Sequence, residues 1–440
     1  MEVTEEMLDC ARSNDVSLVI IGRTAGEDQD NNTNLGSYCL TETEEDMIRR
    51  VCEVSERTVV VLNVGNIIDM SWVEKYHPQA VLYAWQGGQE GGNGVADVLT
   101  GKVCACGKLT DTIAERIEYY PSTENFGDPY KNYYKEDIYV GYRYFETFAK
   151  DKVLYPFGYG LSYTSFAYDE MTVEDKPDEI QVKLSVTNTG HCEGDEVIQL
   201  YVHKMDSRVV RPIRTLKDFV RLKNVRPGET RKVTLCAKKQ ELRYYDVISG
   251  QMLLEDGGYL FEVGASSVDI RQMKKLILDG QKAGVRNPFA LTEAIRYDDY
   301  TNCFIHKGTF GHAEHGETCL IPGRPGEAPD EIQKLPDGKV RGELVYRDFF
   351  FEKQASKFKF TAWVLEEARI RVLSEDENHK TILVDRVLPL PEKKGFCSYE
   401  AALEEKIPEL SAVKTIIIQL EGKVKLKEFE FGNYSEPCKI

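Results

Sequence analysis

Between residues 4 and 125 the apolar positions follow two alternating patterns. Met7, Leu8 and Ala11 fall at helical spacing behind Thr4, a residue type that caps helix starts. Val16–Gly22 is then a short apolar run ending in glycine, as a buried parallel strand would be. A second amphipathic helix is predicted over Thr43–Glu56, and a second buried strand over Thr58–Gly65. A third pair follows, Ala80–Trp85 as strand and Gly91–Leu99 as helix. Strands alternating with helices predict a parallel sheet with both faces covered. The alternation opens on a helix directly after Met1, so this sheet is expected to be cut at its front edge.

Residues 126–170 are crowded with aromatics, notably Tyr139–Phe145 and Tyr155–Tyr163. Such rings can stack on sugars, but an ordered strap packing one domain against the next is the preferred expectation. From about residue 176 the period changes to two. Ile180–Asn188 alternates cleanly, Asn188-Thr189-Gly190 supplies a turn, and strands are predicted over Val197–Val202, Lys232–Ala237 and Gly258–Val263. These short strands indicate a β-sandwich. Beyond a polar link near 280–288, strands at Phe358–Trp363, Ala368–Leu373, Lys380–Val387, Lys414–Leu420 and Val424–Phe431 predict another all-β region, jelly-roll-like or a related sandwich. No internal repeat is visible.

The chain is thus read as multidomain, α/β plus all-β. A partial parallel α/β sandwich occupies 1–125, with its front truncated, and an aromatic connecting strap occupies 126–170. A β-sandwich follows at 171–275 and a second β-domain at 285–440. At 440 residues, two to four domains are expected.

Charge and composition remove several function classes. A net charge of −17 argues against nucleic acid, which needs clustered basic surface. No apolar run approaches the roughly 18 residues that suggest a membrane span, and the amino terminus carries no secretory pattern. Eleven irregularly spaced cysteines read as reduced thiols, which places the chain in the cytoplasm. Cys104-Ala105-Cys106 is too closely spaced for a redox or zinc pair and marks a small buried loop.

Three ordered blocks carry a family likeness. The first runs from Val59–Gly65 to Ala84-Trp85-Gln86-Gly87-Gly88-Gln89-Glu90-Gly91-Gly92-Asn93-Gly94, Asp97–Gly101 and Gly107-Lys108-Leu109. The second is Tyr155-Pro156-Phe157-Gly158-Tyr159-Gly160-Leu161-Ser162-Tyr163-Thr164. The third comprises Val197–Val202, Arg211-Pro212, Leu216–Phe219, Pro227-Gly228-Glu229 and Val263–Ile270. Over residues 4–270 the chain resembles the α/β sandwich and fibronectin type III-like domains of family 3 glycoside hydrolases. The last 155 or so residues resemble that family less. Ala294–Tyr300 and the late strands faintly resemble a carbohydrate-binding jelly roll, and a worn-down packing module is equally compatible.

The resemblance implies exo-acting hydrolysis of terminal β-linked sugars, as in a β-glucosidase or β-xylosidase. Retaining glycosidases place two carboxyl groups roughly 5–5.5 Å apart across the scissile bond. In this family the nucleophilic aspartate sits on a (β/α)8 barrel, and in many members the acid/base glutamate sits on a loop of the α/β sandwich. The loop after the first strand reads Arg23-Thr24-Ala25-Gly26-Glu27-Asp28-Gln29-Asp30, which resembles the acid/base loop of bacterial members. The acid/base then carries over to Glu27, with Arg23 and Asp30 as loop support. Neighbouring Asp28 and Asp30 are expected to raise the Glu27 pKa. The family pattern often continues with arginine, where this chain has Asn31.

The nucleophile is the missing part. The chain contains no Ser-Asp dipeptide of the kind that usually carries it and no Lys-His pair, and no barrel-like series follows residue 125. The leading expectation is therefore a fragment or subunit, inactive alone, that partners a barrel in cis or in trans and also self-associates. The rival is a non-catalytic carbohydrate-binding or scaffold protein derived from such an enzyme. No cofactor is expected. Cys303, His306, His312, His315 and Cys319 lie close together, but their spacing matches no common zinc pattern, so no metal is expected either. Glu44, Glu45 and Asp46 near a helix start are read as macrodipole stabilisation.

Overall fold

The computed structural model of the chain describes residues 2–23, 31–123, 126–127, 136–306, 319–322, 341–376, 379–392, 394–410 and 413–433. It divides into two compact units, Met1–Leu242 with Gly257–Asp279, and Arg243–Asp256 with Gly280–Ile440. Among the described residues no helix is long and apolar enough to cross a membrane.

The first unit opens with α1 (Glu5–Ser13), β1 (Ser17–Gly22), α2 (Glu42–Val54), β2 (Thr58–Asn63), α3 (Ser71–Tyr76), β3 (Ala80–Tyr83) and α4 (Gly91–Leu99). Thr4 caps α1 by accepting from the Met7 N–H. Thr41 and Glu44 cap α2 reciprocally, each side chain bonding the other's backbone N–H. The strands form a parallel sheet in the order β1-β2-β3.

Register sorts this sheet into two faces. Val19 pairs with Val60 and Ile21 with Leu62, and these residues are buried in one cluster with Leu8, Ile48 and Val51 of α1 and α2. Leu18 pairs with Val59 and Ile20 with Val61 on the opposite face. There Leu18 and Ile20 are 53% and 63% exposed, so β1 presents bare aliphatic surface where a parallel sheet is normally covered.

The strap joins this sheet to the sandwich behind it. It contains β4 (Ile113–Ala114), α5 (Tyr142–Phe148) and β5 (Val153–Tyr155), with β4 and β5 paired antiparallel. The Tyr142 ring stacks on Phe157 at 4.8 Å and meets the Tyr201 edge at 5.9 Å, while its hydroxyl accepts from the Leu216 N–H. Tyr142 of the strap thus packs against the sandwich. Gly158, at φ +81°, is required here, because a Cβ would lie 2.6 Å from the Gln199 side chain.

The sandwich has two antiparallel sheets. One, in the order β10-β7-β6, is built from β6 (Phe166–Asp175), β7 (Glu179–Asn188) and β10 (Thr230–Lys238). The other, in the order β14-β13-β8-β9, uses β8 (Gly194–Lys204), β9 (Thr215–Val225), β13 (Gly257–Gly264) and β14 (Ile270–Leu278). Ile180, Val182, Leu184 and Val186 alternate inward on β7, and Ile198, Leu200, Phe261 and Val263 do so on β8 and β13.

The second unit is all-β among its described residues. It contains the hairpin β11 (Tyr244–Asp246) and β12 (Gln251–Leu253), the short strands β15 (Thr292–Glu293), β16 (Asp299–Thr301), β17 (Cys303–His306) and β18 (Cys319–Pro322), and then β19 (Arg341–Phe349), β20 (Ala355–Asp376), β21 (His379–Leu388), β22 (Cys397–Ile407) and β23 (Lys414–Gly432). The four strands read separately at 358–363, 368–373, 414–420 and 424–431 are in fact two long ones, β20 and β23. They pair over Lys357–Val364 and again over Ala368–Glu375, with register shifts at Thr361/Ala362 and between Val364 and Ala368. Exposed Leu365-Glu366-Glu367 and Gly422 interrupt the alternation without ending either strand. The N-terminal part of β20 pairs with β22 and its C-terminal part with β21. Phe349, Phe351, Phe358, Phe429 and Phe431 fill the core.

Candidate active site

The loops leaving the carboxyl ends of β1, β2 and β3 meet at one edge of the parallel sheet, where open α/β sheets place their ligands. Arg23 is the node of this edge. Its backbone N–H donates to the Asn63 carbonyl at the end of β2 (3.1 Å), and its carbonyl accepts from the Gln86 side chain after β3 (3.3 Å).

The Arg23 guanidinium is largely buried and faces the Glu44 carboxylate through two hydrogen bonds of 2.5 and 2.7 Å. It also donates to the carbonyls of Ser37 and Gly22. Burial works against the charge on Glu44, but the Arg23 hydrogen bonds and the Thr41 backbone N–H outweigh it and hold the carboxyl below its usual range. A fork-to-fork pair of this kind fixes direction as well as distance. The pair therefore ties the end of β1 to the start of α2.

Downstream of that loop, Asn31 donates to the Ile67 carbonyl at 2.7 Å and accepts from the Asn66 side chain at 3.4 Å. Asn32 bonds the Ser37 hydroxyl, and Tyr38 N–H returns to the Asn32 carbonyl, closing a tight turn. Asn31, where the family pattern often has arginine, is thus tied to the segment after β2 by neutral hydrogen bonds. Glu27 and Asp30 themselves lie outside the described residues.

Beside this edge the Tyr83 and Trp85 rings sit 4.5 Å apart, tilted by 46°. The Tyr83 hydroxyl donates to the Asn66 carbonyl, and burial pushes its phenol well above the ordinary range. Trp85 adopts a left-handed backbone (φ 54°), uncommon for a bulky residue and the sort of strain that gathers at functional sites. Sequence reasoning assigned no such role to Tyr83, Trp85 or Glu44. Glu44 was open to discovery, since Thr41-x-x-Glu44 is a capping-box pattern, but its tie to Arg23 spans 21 residues.

Of the acidic trio at the α2 start, Glu45 accepts from Lys75 and Tyr76, and Asp46 pairs with Arg49. His312 and His315 of the Cys303–Cys319 cluster lie outside the described residues, and among those described no group of His, Cys, Asp and Glu could hold a metal ion. Cys106 is buried, and its sulfur accepts from Arg221 at 3.0 Å.

Two family models match the chain. Residues 2–163 match the glycosyl hydrolase family 3 C-terminal domain, and residues 196–267 match the fibronectin type III-like domain. Residues 2–163 are a glycoside hydrolase family 3 C-terminal domain. The first match includes the strap as well as the parallel sheet.

A β-glucosidase of Ruminococcus albus is 42% identical over 279 residues, 62% of this chain and 29% of that protein. The crystal structure of a β-glucosidase from Paenibacillus barengoltzii is 39% identical with a TM-score of 0.60, covering 74% of this chain and 37% of that one. The structure of β-glucosidase 3B from Thermotoga neapolitana in complex with glucose is 33% identical with a TM-score of 0.59, covering 63% and 40%. The chain spans about a third of the length of the curated relatives it matches.

Proposed function

We propose that this chain supplies one half of a retaining, exo-acting β-glycosidase site, with Glu27 as acid/base. A (β/α)8 barrel, in cis or in trans, supplies the nucleophilic aspartate. The observation that carries this reading is the anchoring of the loop at both ends, by Arg23–Glu44 and by Asn31 with Ile67 and Asn66.

Glu27 is the midpoint of residues 24–30. Four peptide links from either anchor allow it to stand at most about 14 Å out from the sheet edge, enough to reach a neighbouring domain. General acid catalysis needs the carboxyl within hydrogen-bond reach of the glycosidic oxygen. The barrel carboxylate attacks the anomeric carbon while Glu27 protonates the leaving oxygen. Glu27 then takes a proton from the water that hydrolyses the glycosyl-enzyme.

The bare face at Leu18 and Ile20 supports a missing covering element, since such aliphatic surface is costly to leave in water. The substrate class follows from the β-glucosidase relatives and remains a proposal for this chain, with β-xylosides as the second candidate. The C-terminal β-domain is read as a jelly-roll-like carbohydrate-binding module, and the irregular cysteines support a cytoplasmic setting.

The test is complementation. Aryl β-glucoside and β-xyloside hydrolysis is measured for the chain alone, for a family 3 barrel alone, and for the two mixed. Turnover confined to the mixture, and lost with Glu27→Gln, is the expected result. Turnover by the chain alone would mean that a second catalytic carboxylate lies within these 440 residues. A mixture no better than the barrel alone would favour the non-catalytic scaffold.

A further inference from the structure

The outer face of the second unit carries an aromatic notch beside Lys425, a lysine that makes no ion pair among the described residues. Trp363 on β20 and Phe396, just before β22, meet edge to face with centroids 5.9 Å apart and planes at 67°. Both rings are half-exposed, whereas their neighbours Ala362 and Val364 point into the core. Lys425 of β23 is the direct cross-strand partner of Trp363, and its ammonium lies 4.7 Å from the Trp363 ring centroid. Lys427 reaches to 5.8 Å from the Phe396 centroid.

Elsewhere on this face lysines are matched by carboxylates, as in Lys357–Glu400 and Lys359–Glu430. Lys425 differs, because among the described residues it has no ion-pair partner and rests on the indole instead. A cation held only by a ring face keeps most of its charge available to an anion. Register adds a polar row beside the notch, since Thr361 pairs with both Ser398 and Glu428 and shares its face with them.

Flat apolar rings, one uncompensated cation and a row of hydroxyl and carboxylate groups match a ligand with an apolar ring face, several hydroxyls and a negative charge. We propose that this face binds an acidic saccharide, a uronic-acid oligosaccharide, stacked on Trp363 with its carboxylate on Lys425. The sugar hydroxyls then fall to Thr361, Ser398 and Glu428. This site is separate from the β1–β3 sheet edge and does not depend on glycosidase activity.

The experiment is calorimetric titration of the full chain with tri-galacturonic acid, and with cellotriose as the neutral control. Saturable binding of the acidic trisaccharide is expected, at least tenfold tighter than cellotriose and weaker at high salt. Trp363→Ala should abolish it. Lys425→Gln, a surface change expected to leave the unfolding midpoint unaltered, should weaken it at least fivefold. Absence of saturable binding, equal affinity for cellotriose, or wild-type affinity in Lys425→Gln would each overturn the proposal. Because Glu27 plays no part here, Glu27→Gln should bind like wild type, so failure at one site is distinguishable from failure at the other.

Discussion

The Glu44 carboxylate serves two partners at once. It faces the Arg23 guanidinium at 2.5 and 2.7 Å, and it accepts the Thr41 backbone N–H at 2.9 Å. One side chain thereby joins the end of β1 to the start of α2 and sets where the loop carrying Glu27 departs. Glu44→Gln leaves Arg23 without its counter-charge in a largely buried setting and should cost roughly 3 kcal/mol. Hydrogen exchange of residues 31–40 should accelerate with it. Unchanged protection would show that the ion pair does not hold the loop.

The pH dependence of this clamp follows from its sign. Glu44 titrates below its unfolded value, so its stabilisation is full above about pH 4.5 and fades as the pH falls through the depressed pKa. Exchange protection in the Asn32–Tyr38 turn should therefore drop on acidification from pH 6 to pH 3, and Glu44→Gln should flatten that decline.

A second buried cluster should respond in the opposite sense. Arg214 stands between Glu146 of α5 (3.7 Å) and Glu262 of β13 (3.1 Å), and Ser267 donates to Glu146 at 2.9 Å. Burial raises the pKa of both carboxyls, against the pull of Arg214. A raised carboxyl keeps its proton longer in the folded state, so this contribution is full below about pH 4.5 and is lost as pH rises. Glu146→Gln can still accept from Ser267 and leaves Arg214 matched one-to-one with Glu262. Amide protection of α5 and β13 should then decline less between pH 5 and pH 8 than in wild type. An identical decline would show that the pair is compensated in another way.

Much of this architecture was legible in the sequence where one period dominates. The helix behind Thr4, the helix expected over 43–56 and the apolar strand runs at 17–22 and 58–63 stand within a residue or two of their expected limits, although β1 is buried on one face only. The long strands β20 and β23 were not legible, because alternation lapses at Glu366-Glu367 and at Gly422 while backbone pairing continues past both. The site divides in the same way. The loop is visible as a motif, but Glu44 was read only as a helix-start charge, since no local spacing reveals a partner 21 residues away. Asn31 was marked as a departure from the family pattern, and its bonds to Ile67 and Asn66 belong to the tertiary structure alone.

The lapse at Gly422 can be probed directly. At φ +83°, a Cβ there would lie 2.4 Å from the Glu367 carbonyl oxygen. Gly422→Ala should destabilise the second unit by about 2–3 kcal/mol or force the register shift to move. Thermal unfolding should show a lowered transition for that unit, and an unchanged midpoint would mean that the bend relaxes freely.

The uncovered face of β1 should make the isolated chain associate with itself. Sedimentation velocity is expected to show concentration-dependent oligomers, and Leu18→Lys with Ile20→Lys should return the chain to monomer, as charge on an edge strand opposes pairing. A wild-type monomer at all concentrations would show that this face needs no cover.

The role of Glu27 is tested most directly by leaving-group dependence in the barrel-complemented Glu27→Gln variant. A lost general acid should cost about 10²–10⁴-fold on a phenyl β-glucoside. On 2,4-dinitrophenyl β-glucoside, whose leaving group needs no proton, glycosyl-enzyme formation should stay near wild type, with turnover restored by azide and β-glucosyl azide as product. Equal losses on both substrates without azide rescue would contradict Glu27 as the acid/base and reduce its loop to a structural role.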